Sequence, residues 1–122
     1  MEVTAMKKMV VKVWCLPKMM EVELNELHKN IVAAVVSVKE FGLGSENDMV
    51  CLFPSDMMFK GLGEEIIIEV VSPFDYKDER YEINEKLTVK LGKVVVTMFP
   101  EAFVQCDIYS HFWVEKCSWS NK

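Results

Sequence analysis

The apolar marks of one stretch of this sequence return 56 positions later: Leu27, Ile31, Val35 and Val38 fall on Ile83, Leu87, Leu91 and Val94. Just upstream, Pro17 falls on Pro73, each closing an apolar, strand-like run. Two copies of strand–helix–strand within 122 residues restrict the available topologies far more than composition does.

Read along the chain, MVVKVWCL over 9–16 is dense in β-branched and aromatic residues and predicts a strand, ended by Pro17. From Glu21 the period changes. Leu24, Leu27, Ile31, Ala34, Val35 and Val38 recur at helical spacing, while Glu23, Glu26, Lys29, Asn30 and Lys39 take the other face. Gly42 and Gly44 supply the expected stop, because glycine adopts the left-handed conformation that ends helices. Asp48 to Phe53 predicts a second strand, terminated by Pro54. Glu65 to Val71, EIIIEVV, predicts a third, and three successive isoleucines imply that both its sides are covered. Pro73, Asp75 and Asp78 then offer turn and capping chemistry.

A second helix is expected from about Asp78, with Ile83, Leu87, Leu91, Val94, Val95 and Met98 on one stripe. Gly92 sits inside it at a cost of about 1 kcal/mol relative to alanine, which points to close packing. Pro100 ends this helix, and FVQCDIY over 103–109 predicts the fourth strand. The tail, HFWVEKCSWS, is aromatic enough to predict a short extra strand.

A strand, a crossover helix and a further strand make parallel pairs with right-handed crossovers. The expected fold class is α/β (α+β): a tandem βαβ repeat, about 9–54 and 65–110, within one domain over 1–122. Its four strands form a mixed sheet with both helices on one face. The other face, apolar by the reading of EIIIEVV, is then uncovered. Burying a dozen medium apolar side chains stabilises by roughly 1.5–3 kcal/mol each, so a partner sheet from an identical chain is the economical cover. An isolated ferredoxin-like sandwich with antiparallel pairings is an alternative, and EIIIEVV argues against it.

Composition narrows the partners. Hydrophobic residues make up 51% of the chain, and the mean hydropathy of +0.12 is high for a small monomer. Fourteen Lys+Arg against nineteen Asp+Glu give a net charge of -5, and Arg80 is the sole arginine. Nucleic acid binding needs a cationic face, and no basic run interleaved with aromatics is present. No apolar stretch approaches the roughly 20 residues that span a membrane, and the start, MEVTAMKKMVVKV, lacks a signal-peptide pattern. Cys15, Cys51, Cys106 and Cys117 include no CxxC pair and read as small buried hydrophobes in a reducing cytoplasm. His28 and His111 stand apart without flanking ligand carboxylates, so neither a metal nor another cofactor is expected.

Two βαβ units of this size in one chain resemble the tautomerase superfamily, which includes macrophage migration inhibitory factor, oxalocrotonate tautomerase-like proteins and the carboxymethyl-hydroxymuconate isomerases. The nearest local match is Leu52-Phe53-Pro54-Ser55-Asp56-Met57-Met58-Phe59-Lys60-Gly61. It is similar to the strand-end proline, methionine-pair region and glycine after the second strand in the inhibitory factor branch. The layout covers about Met9 to Tyr109. The resemblance implies a homotrimer whose three sheets close around an axis, and a small-molecule acid as ligand.

The superfamily's chemistry rests on a proline at the mature N-terminus, whose secondary amine moves a proton between carbon and oxygen. Alignment of the first helix places that position at or near Met9, where no proline stands. Trimming of Met1 makes none either, because the next residue is Glu2. A peptide nitrogen carries amide resonance and is no base near neutral pH. By the same alignment, Asp107 falls on a polar pocket position of the fourth strand, with Gln105 on the same strand face. Asp107 interrupts an apolar strand, and a buried carboxylate is costly unless it is paired or its pKa is raised. It is the candidate base. Its other reading is a rim aspartate, or one paired at a subunit interface. Met9, Gln105 and Lys60 are the candidate pocket residues, Lys60 with Lys18 and Lys39 as cationic contacts or as plain solvated charges. The expected function is a divergent isomerase or tautomerase on small keto or unsaturated acids. The alternative is a non-catalytic binding or assembly module that uses Phe112, Trp113 and Trp119 as contacts.

Overall fold

A computed structural model of the chain describes residues 8–58, 64–72 and 80–110. Strands β1 (Met9–Trp14), β2 (Met49–Leu52), β3 (Glu65–Ser72) and β4 (Phe103–Ser110) form one sheet, joined by helices α1 (Glu21–Val36) and α2 (Arg80–Met98). The strand order is β2-β1-β3-β4. β1 pairs with β2 and β3 with β4 in parallel, while β1 and β3 run antiparallel at the centre. The sheet is therefore mixed, and both helices pack on one of its faces. The expected tail strand, the capping residues Pro73, Asp75 and Asp78, and Lys60 lie outside the described residues.

The core follows from the two side-chain periods. Met9, Val11 and Val13 of β1 and Ile66, Ile68 and Val70 of β3 point under the helices and are fully buried. They meet Leu27, Ile31 and Val35 of α1 and Ile83, Leu87, Leu91 and Val95 of α2. Three of the four repeated marks are thus core residues in both copies, while Val38 is buried and its counterpart Val94 only partly so. A truncation such as Leu87→Ala is expected to cost about 2–5 kcal/mol, as buried leucines do.

The repeat has a slip that the sequence conceals. Shifting by 56 superposes the helices but would put Val11, which points inward, on Ile67, which points outward. The first strands of the two copies match at 57, which carries Lys12 onto Glu69 and Val11 onto Ile68. Because strand side chains alternate, one residue of difference in a connection decides which face is inside. At this shift Lys12 and Glu69 are each other's counterparts and also direct partners in the register, so the local two-fold passes between them.

Three local expectations are corrected. The first helix ends at Val36, earlier than the glycines suggest, because the Ser37 hydroxyl donates to the Ala34 carbonyl at 2.6 Å and the chain turns extended at Val38. Gly42, at φ +64°, instead closes a 3₁₀ turn over Lys39–Phe41, its N–H donating to the Lys39 carbonyl at 3.0 Å. Asp48 belongs to a second 3₁₀ turn, Glu46–Asp48, and its carboxylate accepts from the Gly44 N–H at 2.8 Å, so β2 starts one residue later than expected. At Gly92, an added Cβ would meet nothing within 4 Å, so packing among the described residues does not require that glycine.

Candidate functional site

The sheet face turned away from the helices carries four cross-strand rows set by the register. Val50, Val10, Val71 and Tyr109 form an apolar row. Leu52, Lys12, Glu69 and Asp107 form the next, and this row carries charge. Trp14, Ile67 and Gln105 make the third, and Glu65 beside Phe103 the last. Large apolar side chains stay open to solvent here: Trp14 and Ile67 at 37%, Leu52 at 44%, Tyr109 at 53% and Phe103 at 70%. The middle isoleucine of EIIIEVV is thus the one that the helices leave uncovered.

Four polar side chains on this face are paired. Lys12 Nζ lies 3.7 Å from Glu69 Oε1, with both side chains about one-third exposed (32% and 31%). Gln105 Nε2 donates to Asp107 Oδ2 at 2.7 Å, as two residues apart on one strand face allow. Asp107 stands directly beside Glu69 in the β3–β4 register, so two carboxylates and one ammonium share the row.

Of the sequence-derived candidates, Gln105 and Asp107 are brought together as the strand alternation requires. Met9 is not with them: its side chain is fully buried beneath the helices, on the opposite face. Its nitrogen is a peptide nitrogen joined to Lys8. Lys60 lies outside the described residues, and Lys18 and Lys39 are exposed. Lys12 and Glu69 were overlooked, although each interrupts an apolar strand in the same manner as Asp107. That signal sat in MVVKVW and EIIIEVVS.

The cysteine thiols are muted by their surroundings. Cys15, Cys51 and Cys106 are free thiols. Burial pushes Cys51 and Cys106 up to about 11, with Glu46 adding to the first and Asp107 to the second. Cys15 is raised as well, by burial first and then by Asp56 and Glu65; it ends β1 at φ +68°, a strained conformation for a residue with a Cβ. A groove of about 510 Å³ runs between α1 and the Gly44–Glu46 turn, and its His28 stands edge-on to Phe53 at 6.2 Å between ring centroids. Among the described residues no three His, Cys, Asp or Glu side chains are grouped to hold a metal ion, and no helix is long and apolar enough to cross a membrane.

No family model matches this sequence, and no curated protein matches it. Solved structures do match by shape. A fused 4-OT, described as a wild-type asymmetric trimer, superposes with a TM-score of 0.60 at 10% identity, over 83% of this chain and 86% of that one. MIF2 of Leishmania major gives 0.57 at 13% identity, over 92% and 93%. A 5-carboxymethyl-2-hydroxymuconate delta-isomerase gives 0.59 at 7% identity, over 95% and 91%. All are tautomerase superfamily members, and this chain has their fold. At such identities the likeness is one of architecture.

Proposed function

We propose that this chain works as a tautomerase-fold homotrimer that lacks the N-terminal proline base and moves protons on small keto or unsaturated acids through Asp107. The observation that carries the reading is the hydrogen bond of 2.7 Å from Gln105 Nε2 to Asp107 Oδ2, on a sheet face that the helices leave open. The ionised carboxylate accepts a proton from a carbon beside a carbonyl, and the carboxylic acid so formed returns that proton to the enolate oxygen. The amide holds that carboxylate in one orientation, as a positioned base requires. Support for the trimer comes from the uncovered apolar rows and from the fold match to a fused 4-OT described as a trimer. Free cysteines fit a reducing compartment such as the cytoplasm.

A second reading, a non-catalytic assembly module of the same fold, is favoured by the exposed Phe103 and Tyr109 on the same strand face as Asp107. There the carboxylate serves the interface rather than a substrate. A phenylpyruvate and a hydroxymuconate tautomerase assay on the wild type and on Asp107→Asn separates the two. The catalytic reading expects a rate above background that the substitution abolishes. No rate in the wild type refutes catalysis on these substrates, and an unchanged rate in Asp107→Asn removes Asp107 from the mechanism.

A further inference from the structure

The outer side of α2 carries a pattern of which the chain itself engages Lys86, paired with Glu40. Opposite the buried stripe of Ile83, Leu87, Leu91 and Val95, the helix exposes Tyr81, Val89 and Val96 at 79%, 61% and 43%. Charges flank this stripe in a polar order: Glu82 and Glu85 lie toward the N-terminus, and Lys86, Lys90 and Lys93 toward the C-terminus. Read against a reversed copy of itself about Val89, the helix places Glu85 opposite Lys93 on both sides and Tyr81 opposite Thr97. Gly92 falls on the same side, opposite Lys86. It weakens the helix, and its missing Cβ faces space that no described atom fills. A glycine there lets a second backbone come close.

We infer that the outer face of α2 is a docking surface for the α2 of a second copy of this chain, in an antiparallel two-fold contact centred on Val89. The complementarity is isologous, so each copy supplies both halves of each ion pair, and antiparallel alignment also opposes the helix dipoles favourably. One helix pair buries little surface, so the contact is a weak, reversible one. This surface belongs to the helix layer and is independent of the open sheet face, the catalytic reading and the trimer.

Charge reversal tests it by sedimentation velocity over a concentration series. The wild type is expected to gain at least twofold in mass at high concentration, less so in high salt. Glu85→Lys alone and Lys93→Glu alone each turn two attractions into two repulsions, and each is expected to self-associate about tenfold or more weakly. An equimolar mixture of the two variants restores opposite charges at both positions and is expected to associate as the wild type does. Gly92→Leu, which fills open space in its own chain, is expected to keep the fold and lose association. A wild type of constant mass, single variants that associate undiminished, or a mixture that stays at the dilute mass each overturns the inference. The starting mass reads the sheet-face assembly separately, so the two claims fail by different observations.

Discussion

Lys12 and Glu69 sit at the centre of the open sheet face, so the strength of their ion pair reports what covers that face. A double-mutant cycle of Lys12→Met and Glu69→Gln, with urea midpoints for the four proteins, isolates that strength. At 3.7 Å two unit charges in water attract by about 1 kcal/mol, and screening leaves about 0.2–1 kcal/mol for an exposed pair. Both side chains are about a third exposed in the single chain, which belongs to this weak regime. Under a sister sheet the pair is desolvated, and removing one partner then costs about 3–5 kcal/mol because the other charge is left buried. The expected coupling is therefore below about 1 kcal/mol at protein concentrations where the chain is dissociated and about 2 kcal/mol or more where it is assembled. Lys12→Met is also expected to be the worse single change, since it leaves Glu69 beside Asp107 with no cation in the row. A coupling that stays below 1 kcal/mol at every concentration refutes the reasoning, because the face then lies in water.

Ile67→Asp and Ile68→Asp, one residue apart, are expected to behave differently: the first yields a folded but dissociated chain, the second no cooperative unfolding by circular dichroism, since only Ile68 is in the core. Equal behaviour contradicts the assigned strand faces. With thiols at about 11, Cys51 and Cys106 are expected to alkylate at pH 8 roughly two hundredfold more slowly than a free cysteine, read by mass spectrometry of peptides. Rates equal to those in urea contradict their burial. The Lys86 ammonium, 2.6 Å from the Glu40 carboxylate, holds that carboxyl below its usual range. Stability from this pair is full above the unfolded carboxylate value and is lost as pH falls through the lowered one, so Lys86→Met is expected to flatten the acid limb of the stability profile.

How much of this was legible before any coordinates depends on which period carries the information. The helical marks were unambiguous, because Leu27, Ile31, Val35 and their counterparts form stripes that only one helix orientation buries. The strands were legible as strands, and of the two covered sides that EIIIEVV implied the helices cover one, leaving Ile67 open. Which isoleucine faces which side was not readable, because the helices repeat at 56 and the strands before them at 57, and a single residue inverts a strand. For the same reason Met9 read as a pocket residue but lies under the helices. Lys12 and Glu69 each interrupt an apolar strand as Asp107 does, but the sequence does not show that they meet. Their significance comes from antiparallel register, which joins residues far apart in the sequence. Gly42 misled through a real signal, since its left-handed turn ends a 3₁₀ segment rather than α1.

The measurement that bears most directly on the account is the mass of the unmodified chain by sedimentation equilibrium at micromolar concentration. If Trp14, Leu52, Ile67, Phe103 and Tyr109 are hidden by sister chains, the particle has three times the chain mass of 14.1 kDa. A particle of 14.1 kDa at every concentration contradicts it.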